Sequence, residues 1–189
     1  YKLDSLDGKF DRLDPVEVKD FSSFGNLEKD LEELIAKSIL GILFEDSGLM
    51  PVFQERQYQA EADIYALNDK GELIIFELKR CAAGDGAVQQ ALRYAQNAGQ
   101  WSYATLEKKY QQYIGAKADL LQAHKEAFNL DHALEMTEIN RRQHLYSIGS
   151  AADDGLINAV DYWKKQGLSI DFLPYRIYEI GGNKYFEFF

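Results

Sequence analysis

The chain has 189 residues, 46% apolar and 13% aromatic, enough for one hydrophobic core and either a single globular domain or one domain with a small appendage. Its net charge of −10 argues against a protein that coats nucleic acid non-specifically through a basic face. The apolar runs are as short as Leu73-Ile74-Ile75-Phe76, so no membrane span or membrane partner is expected. The single cysteine, Cys81, excludes an internal disulfide and a cysteine-based zinc knuckle, and it fits a reducing cytoplasm.

The opening Lys2-Leu3-Asp4-Ser5-Leu6-Asp7 is polar and acidic, unlike a signal peptide, and the first residue is Tyr1 rather than Met. Residues 1–25 read as an irregular arm with one short strand. A helix is expected from Asn26, which can cap it, with Leu27, Leu31, Leu34, Ile35 and Ile42 as a buried stripe. It should end near Glu45 and is broken by Gly48. Three strands follow, at about 52–60, 62–67 and 72–79. Asn68-Asp69-Lys70-Gly71 is a hairpin turn between the last two, because Asn, Asp and Gly tolerate positive φ. Residues 81–86 form a loop of small residues, and a helix runs from about 87 to 98. Residues 101–142 are mostly helical, with Leu106, Tyr110, Tyr113 and Ile114 on one stripe and a second short helix within 126–140. Leu145-Tyr146-Ser147-Ile148 is a buried strand. Asp153-Asp154 starts a helix that Gly167 stops, and strands at 170–180 and 184–189 close the chain around Gly181-Gly182-Asn183. The order predicts an α/β (α+β) fold: a mixed central sheet flanked by helices, over residues 26–189, with a helical insert at 99–141.

Charge is distributed unevenly along these elements. Residues 1–50 hold six Lys/Arg against twelve Asp/Glu, whereas residues 79–117 hold six against two. The second stretch gives a locally basic surface, most simply a solvated helical face.

The hairpin concentrates the chemistry. If Leu67 faces Glu72, Asp63 faces Phe76, or Glu77 with a one-residue bulge, so Asp63 and Glu77 lie close across the ladder. Alternation puts Glu77 and Lys79 on one face and Phe76 and Leu78 on the other. Two neighbouring carboxylates repel, and burying them without a counter-charge is costly. A hard divalent cation, Mg²⁺ or Mn²⁺, relieves both problems, taking oxygen ligands while keeping waters. A lysine beside it can orient or deprotonate one of those waters. Such an ion polarises a phosphodiester, so these residue types suit phosphodiester hydrolysis. The bland alternative is a weak surface pair between Glu77 and Lys79; the apolar run that leads into them favours a half-buried site. Gln90 and Tyr94 share one face of the next helix at i, i+4 spacing. Glu32, beside Leu31 and Ile35, can hold a water of the ion's hydration shell, with Glu28 also near that helix edge.

Leu31-Glu32-Glu33-Leu34-Ile35-Ala36, Ala62-Asp63-Ile64, Ile75-Phe76-Glu77-Leu78-Lys79-Arg80 and Gln90-Ala91-Leu92-Arg93-Tyr94 together resemble the PD-(D/E)xK nuclease superfamily. The closest likeness is to the RecB-like catalytic domain of the NucS endonucleases, over roughly residues 26–189. The tail agrees, with Arg141-Arg142-Gln143-His144-Leu145-Tyr146 entering a strand before a helix and a final hairpin. The resemblance implies a restriction-endonuclease-like fold and a metal-dependent endonuclease. It implies Asp63, Glu77 and the Leu78 carbonyl as ligands of Mg²⁺ or Mn²⁺, Lys79 as the catalytic lysine, and Glu32, Gln90 and Tyr94 as auxiliary site residues. It implies nucleic acid, DNA first, as partner, and leaves a homodimer or larger complex open. Ala62 departs from the proline of the name-giving motif. That family's N-terminal DNA-binding domain is expected to have no counterpart here, so substrate choice does not carry over. The competing function is a catalytically silent nuclease-fold domain that binds nucleic acid or serves as a scaffold in a larger complex.

Other features read more plainly. His124, His132 and His144 lack i, i+4 pairing and are surface or core residues rather than zinc ligands. Gly84-Asp85-Gly86 lacks the lysine and Ser/Thr of a phosphate loop and is a flexible loop that can line the cleft. Trp101, Tyr103, Tyr110 and Tyr113, at helical spacing, belong to the core before they belong to a base-stacking surface.

Overall fold

A computed structural model describes residues 2–6, 9–19, 21–25, 28–42, 48–54, 61–79 and 82–189. Lys2–Leu6 (β1) and Lys9–Asp14 (β2) form a separate antiparallel hairpin, where the sequence predicts an irregular arm. Val18–Lys19 (β3) and a 3-10 turn at Phe21–Phe24 then join the main body. Phe21 is buried, so this end belongs to the domain rather than trailing from it. Glu28–Ile42 forms α1. Leu31 and Ile35 are buried as the helical period requires, but Leu34 is 42% exposed. An apolar residue at the flank of a stripe is a common surface residue. Leu27, Glu45 and the side chain of Ile42 lie outside the described residues.

Met50–Gln54 (β4), Ile64–Leu67 (β5) and Leu73–Leu78 (β6) make an antiparallel meander. The stretch 55–60, expected to continue the first strand, lies outside the described residues. Asp85–Ala98 (α2), Tyr103–Ile114 (α3) and Leu120–Ala127 (α4) lead to Gln143–Gly149 (β7), which runs parallel to β6. Asp154–Lys165 (α5) crosses to Ile170–Ile180 (β8), parallel to β7, and Asn183–Phe188 (β9) folds back on β8. The order across the main sheet is β3-β8-β7-β6-β5-β4, with β9 also paired to β8. The result is the expected mixed sheet with helices on both faces and a helical insert.

Burial on both faces explains the apolar reading of β5 and β6, interrupted only by Glu77; every residue of the two strands is buried. Alternation splits them into two layers. Tyr65, Leu67, Leu73 and Ile75 pack with Val88, Ala91 and Tyr94 of α2, Leu106 of α3 and Leu156 of α5. Ile64, Ala66, Ile74, Phe76 and Leu78 pack with Leu31, Ile35 and Ala36 of α1. The second insert helix spans 120–127 rather than falling within 126–140. Asp119 caps it, accepting from the Gln122 N–H at 3.1 Å, and the chain beyond turns through positive-φ Asn129 and Asn140.

Candidate functional site

The β5–β6 hairpin places the site, and its turn fixes the register. Asn68 Oδ1 accepts from the backbone of Lys70 at 3.1 Å and of Glu72 at 2.9 Å, and Gly71 supplies φ +74°. Leu67 pairs with Leu73, not with Glu72, and Ile64 pairs with Phe76. One step beyond the ladder Asp63 therefore stands opposite Glu77, and no bulge is needed. Opposed residues share a face. That face is the α2 side, the layer of Tyr65 and Ile75.

Three contacts define the site, and Tyr94 flanks them. The Leu78 N–H donates to Asp63 Oδ2 at 2.6 Å, pinning one carboxylate oxygen to the end of β6. Lys79 Nζ lies 2.6 Å from Glu77 Oε1. Glu77 is only 3% exposed, whereas the Lys79 side chain is 25% exposed, so the pair runs from the interior towards the surface. The Lys79 N–H donates to the Ile148 carbonyl at 2.7 Å, tying the site to β7. Tyr94 comes from α2. Burial first, then the negative charges of Glu77 and Asp63, push its hydroxyl above the usual phenol range, against the lowering effect of Arg93. Tyr94 thus remains a protonated donor close to both carboxylates.

Gln90 is half-buried, one turn before Tyr94 on α2. Glu32 lies on α1, which packs on the opposite layer, and its side chain lies outside the described residues, as does that of Glu28. Gly84 is not part of a free loop: it caps α2, and a Cβ there would meet Asp153 Oδ2 at 3.0 Å.

Sequence reasoning missed a brace beside Asp63. Lys109 of α3 contacts Glu61 Oε1 at 2.7 Å and Oε2 at 2.9 Å. Its ammonium also lies 4.3 Å from the ring centroids of both Phe53 and Trp101. Tyr65 packs on Trp101, and its hydroxyl accepts from the Ala62 N–H at 3.1 Å. Residues 61–63 are thus held at all three positions. No local signal announces this brace, since Glu61 and Lys109 are 48 residues apart. The aromatic residues of the insert serve here as packing, as expected: Trp101, Tyr103 and Tyr110 lie against the core.

The donor set fits a hard, hydrated cation. It consists of oxygens only, on two facing carboxylates, with a buried hydroxyl beside them: Ser147 Oγ has no hydrogen-bond partner among the described residues. Among those residues no cluster of three or more His, Cys, Asp or Glu could hold a metal. Such a set suits an ion that keeps several of its waters, as Mg²⁺ does, better than a fully caged one. His124 is instead fully buried, and His144 pairs with Glu72 at 2.9 Å.

No family model matches the chain, and no curated protein sequence matches it. Solved structures do. A repair endonuclease from Pyrococcus abyssi is 17% identical and has a TM-score of 0.41; the match covers 79% of this chain and 47% of that one. EndoMS in its apo form is 17% identical with a TM-score of 0.43, again over 79% of this chain and 47% of that one. The EndoMS–dsDNA2 complex is 16% identical with a TM-score of 0.39, over 76% and 44%. This chain thus spans less than half the length of each of these structures.

Proposed function

We propose that the chain is a divalent-metal-dependent endonuclease of the PD-(D/E)xK type that hydrolyses phosphodiester bonds in DNA. The observation that carries this reading is the convergence of Asp63, Glu77 and Lys79 on one sheet face, with Asp63 pinned by the Leu78 N–H at 2.6 Å. Asp63 and Glu77 would hold Mg²⁺ or Mn²⁺ together with the Leu78 carbonyl, which points to the same side of the extended chain as its N–H. The ion would supply positive charge to the phosphate as negative charge builds in the transition state. Lys79 Nζ, at the solvent end of the pair, orients the attacking water or takes its proton. The Tyr94 hydroxyl donates a hydrogen bond to an oxygen at the site. Gln90, one turn before Tyr94 on α2, acts as an auxiliary polar group beside it.

A second reading, a catalytically silent nuclease-fold domain, draws on the same contacts. Lys79 already neutralises Glu77, and the chain carries a net charge of −10. Incubation of the protein with plasmid DNA, single-stranded DNA and RNA, in Mg²⁺, in Mn²⁺ and in EDTA, separates the two. The endonuclease reading expects nicked or linear plasmid in either cation and none in EDTA. Cation binding without cleavage of any substrate selects the silent domain.

A further inference from the structure

Ser147 is the small polar residue inside the apolar strand Leu145-Tyr146-Ser147-Ile148. It is 1% exposed, and its Oγ has no hydrogen-bond partner among the described residues. A buried hydroxyl without a partner costs about 1–3 kcal/mol. Alanine would fill nearly the same space without that cost, so the hydroxyl calls for another reason. Its address supplies one. The parallel ladder pairs Ser147 with Glu77. It shares the face of Leu145, which belongs to the α2 layer, as do Ile75 and Tyr94. The hydroxyl therefore lies on the same side of the sheet as Asp63, Glu77 and Lys79, one strand away from Glu77. Ser150, just past the end of β7, carries a second buried Oγ without a partner among the described residues. Both serines mark the C-terminal end of β7, beside the C-terminal end of β6 that carries Glu77. In open sheets with parallel strands, ligands gather outside the carboxyl ends of the strands.

We propose that Ser147 is a binding group of this site, whose hydroxyl hydrogen-bonds the hydration shell of the divalent cation held by Asp63 and Glu77. The proposal rests on the endonuclease reading and extends it to a residue on a third strand. A hydroxyl both donates and accepts. It can donate towards the Glu77 carboxylate and accept from a water of the ion, a pairing that neither alanine nor cysteine reproduces. A hard cation that keeps its waters needs such acceptors where, among the described residues, two carboxylates face the site.

The test uses Ser147→Ala and Ser147→Cys in the full chain, with Mn²⁺ titrated by calorimetry, thermal melts in EDTA and plasmid cleavage. Both variants are expected to melt in EDTA at or above the parent, because a buried hydroxyl without a partner has been removed. Both should bind Mn²⁺ about tenfold more weakly, the loss expected for one hydrogen bond in a charged setting. Cleavage at limiting Mn²⁺ should fall with the affinity and recover at saturating Mn²⁺. Unchanged Mn²⁺ affinity in both variants, with a parent that binds and cleaves, overturns the role of Ser147 and leaves the endonuclease reading standing. A parent that binds no Mn²⁺ and cleaves nothing removes that reading, and Ser147 falls with it. Lowered melting in EDTA for both variants assigns the hydroxyl to folding and also overturns the proposal.

Discussion

Lys79 compensates a carboxylate that its own strand has buried. Glu77 is 3% exposed and has Lys79 Nζ at 2.6 Å, while Asp63 is engaged by a backbone N–H. The two residues should therefore fail differently when truncated. Asp63→Ala is expected to abolish cleavage and to lower Mn²⁺ affinity in calorimetry, because coordinating charge is lost. Lys79→Ala is expected to cost about 10²–10⁴ in rate while Mn²⁺ still binds, as loss of an acid–base group does. Lys79→Ala should also lower the melting temperature in EDTA and regain part of the loss in Mn²⁺, since the cation then supplies the missing counter-charge. Breaking a fully buried pair costs about 3–5 kcal/mol, an upper limit here because the lysine reaches solvent. Full activity of Lys79→Ala would leave that residue a purely structural partner. At this scale the arrangement of the candidate residues on the hairpin is legible in the sequence. Alternation alone gives the shared face of Glu77 and Lys79, and the turn fixes which residue opposes Asp63 to within one position. The exact opposition was not legible, because it depends on whether the Asn68 side chain closes the turn on Glu72 or the ladder does.

At the scale of elements, α4 and the hairpin turn hold each other. Gly71 has φ +74°, and a Cβ there would meet Leu134 Cδ1 at 2.8 Å and Ile139 Cδ1 at 2.9 Å. Gly71→Ala is expected to destabilise the fold by about 1–3 kcal/mol, as strain in the left-handed region does, and to lower the denaturant midpoint. A midpoint within error of the parent would show that the turn relaxes freely. On the other side of the turn, His124 Nε2 lies 2.7 Å from the Asn68 carbonyl, so it donates there as the neutral tautomer. Its Nδ1 has no partner among the described residues, and the Phe128 ring lies 4.8 Å away, centroid to centroid. Burial holds the His124 pKa below its ordinary 6.5, against smaller raising effects of the Asn68 carbonyl and of Asp69. The unfolded chain therefore binds a proton that the folded chain refuses as pH falls through 6.5. Stability conferred by the neutral ring is complete above that value and is lost below it, with a slope of at most about 1.4 kcal/mol per pH unit. Urea unfolding between pH 7.5 and 5.5 should show this slope, flattened in His124→Gln; equal slopes in the two proteins would remove His124 as its source. The sequence places α2, α5 and the closing hairpin well, because caps such as Asp153 and the stop at Gly167 are local signals. It misplaces α4 and misses the β1–β2 hairpin, since Asp119 reads as one more polar residue until the helix it caps is seen, and short polar strands lack an apolar face to announce them.

Across the whole molecule, an acidic chain brings two carboxylates, Asp63 and Glu77, together with one lysine, Lys79, at one end of the β5–β6 hairpin. A cation that binds there should stabilise the folded state alone. The linkage is quantitative: ligand at about 100 times its dissociation constant adds about 2.7 kcal/mol of stability. For a domain of this size each kcal/mol moves the melting temperature by about 2–4 °C, so saturating Mn²⁺ should raise it by about 5–10 °C. Net charge offers a rival cause. With a charge of −10, any divalent cation screens repulsion across the surface and raises the melting temperature a little without a site. Two controls separate these causes. Melts at matched ionic strength in NaCl remove screening, and Asp63→Ala removes the site while changing the net charge by only one. The expected result is a saturable shift in the parent, following the calorimetric affinity, and at most a small unsaturable drift in Asp63→Ala. Equal shifts in the two proteins would assign the effect to surface charge, and Asp63 would then have no part in holding the ion.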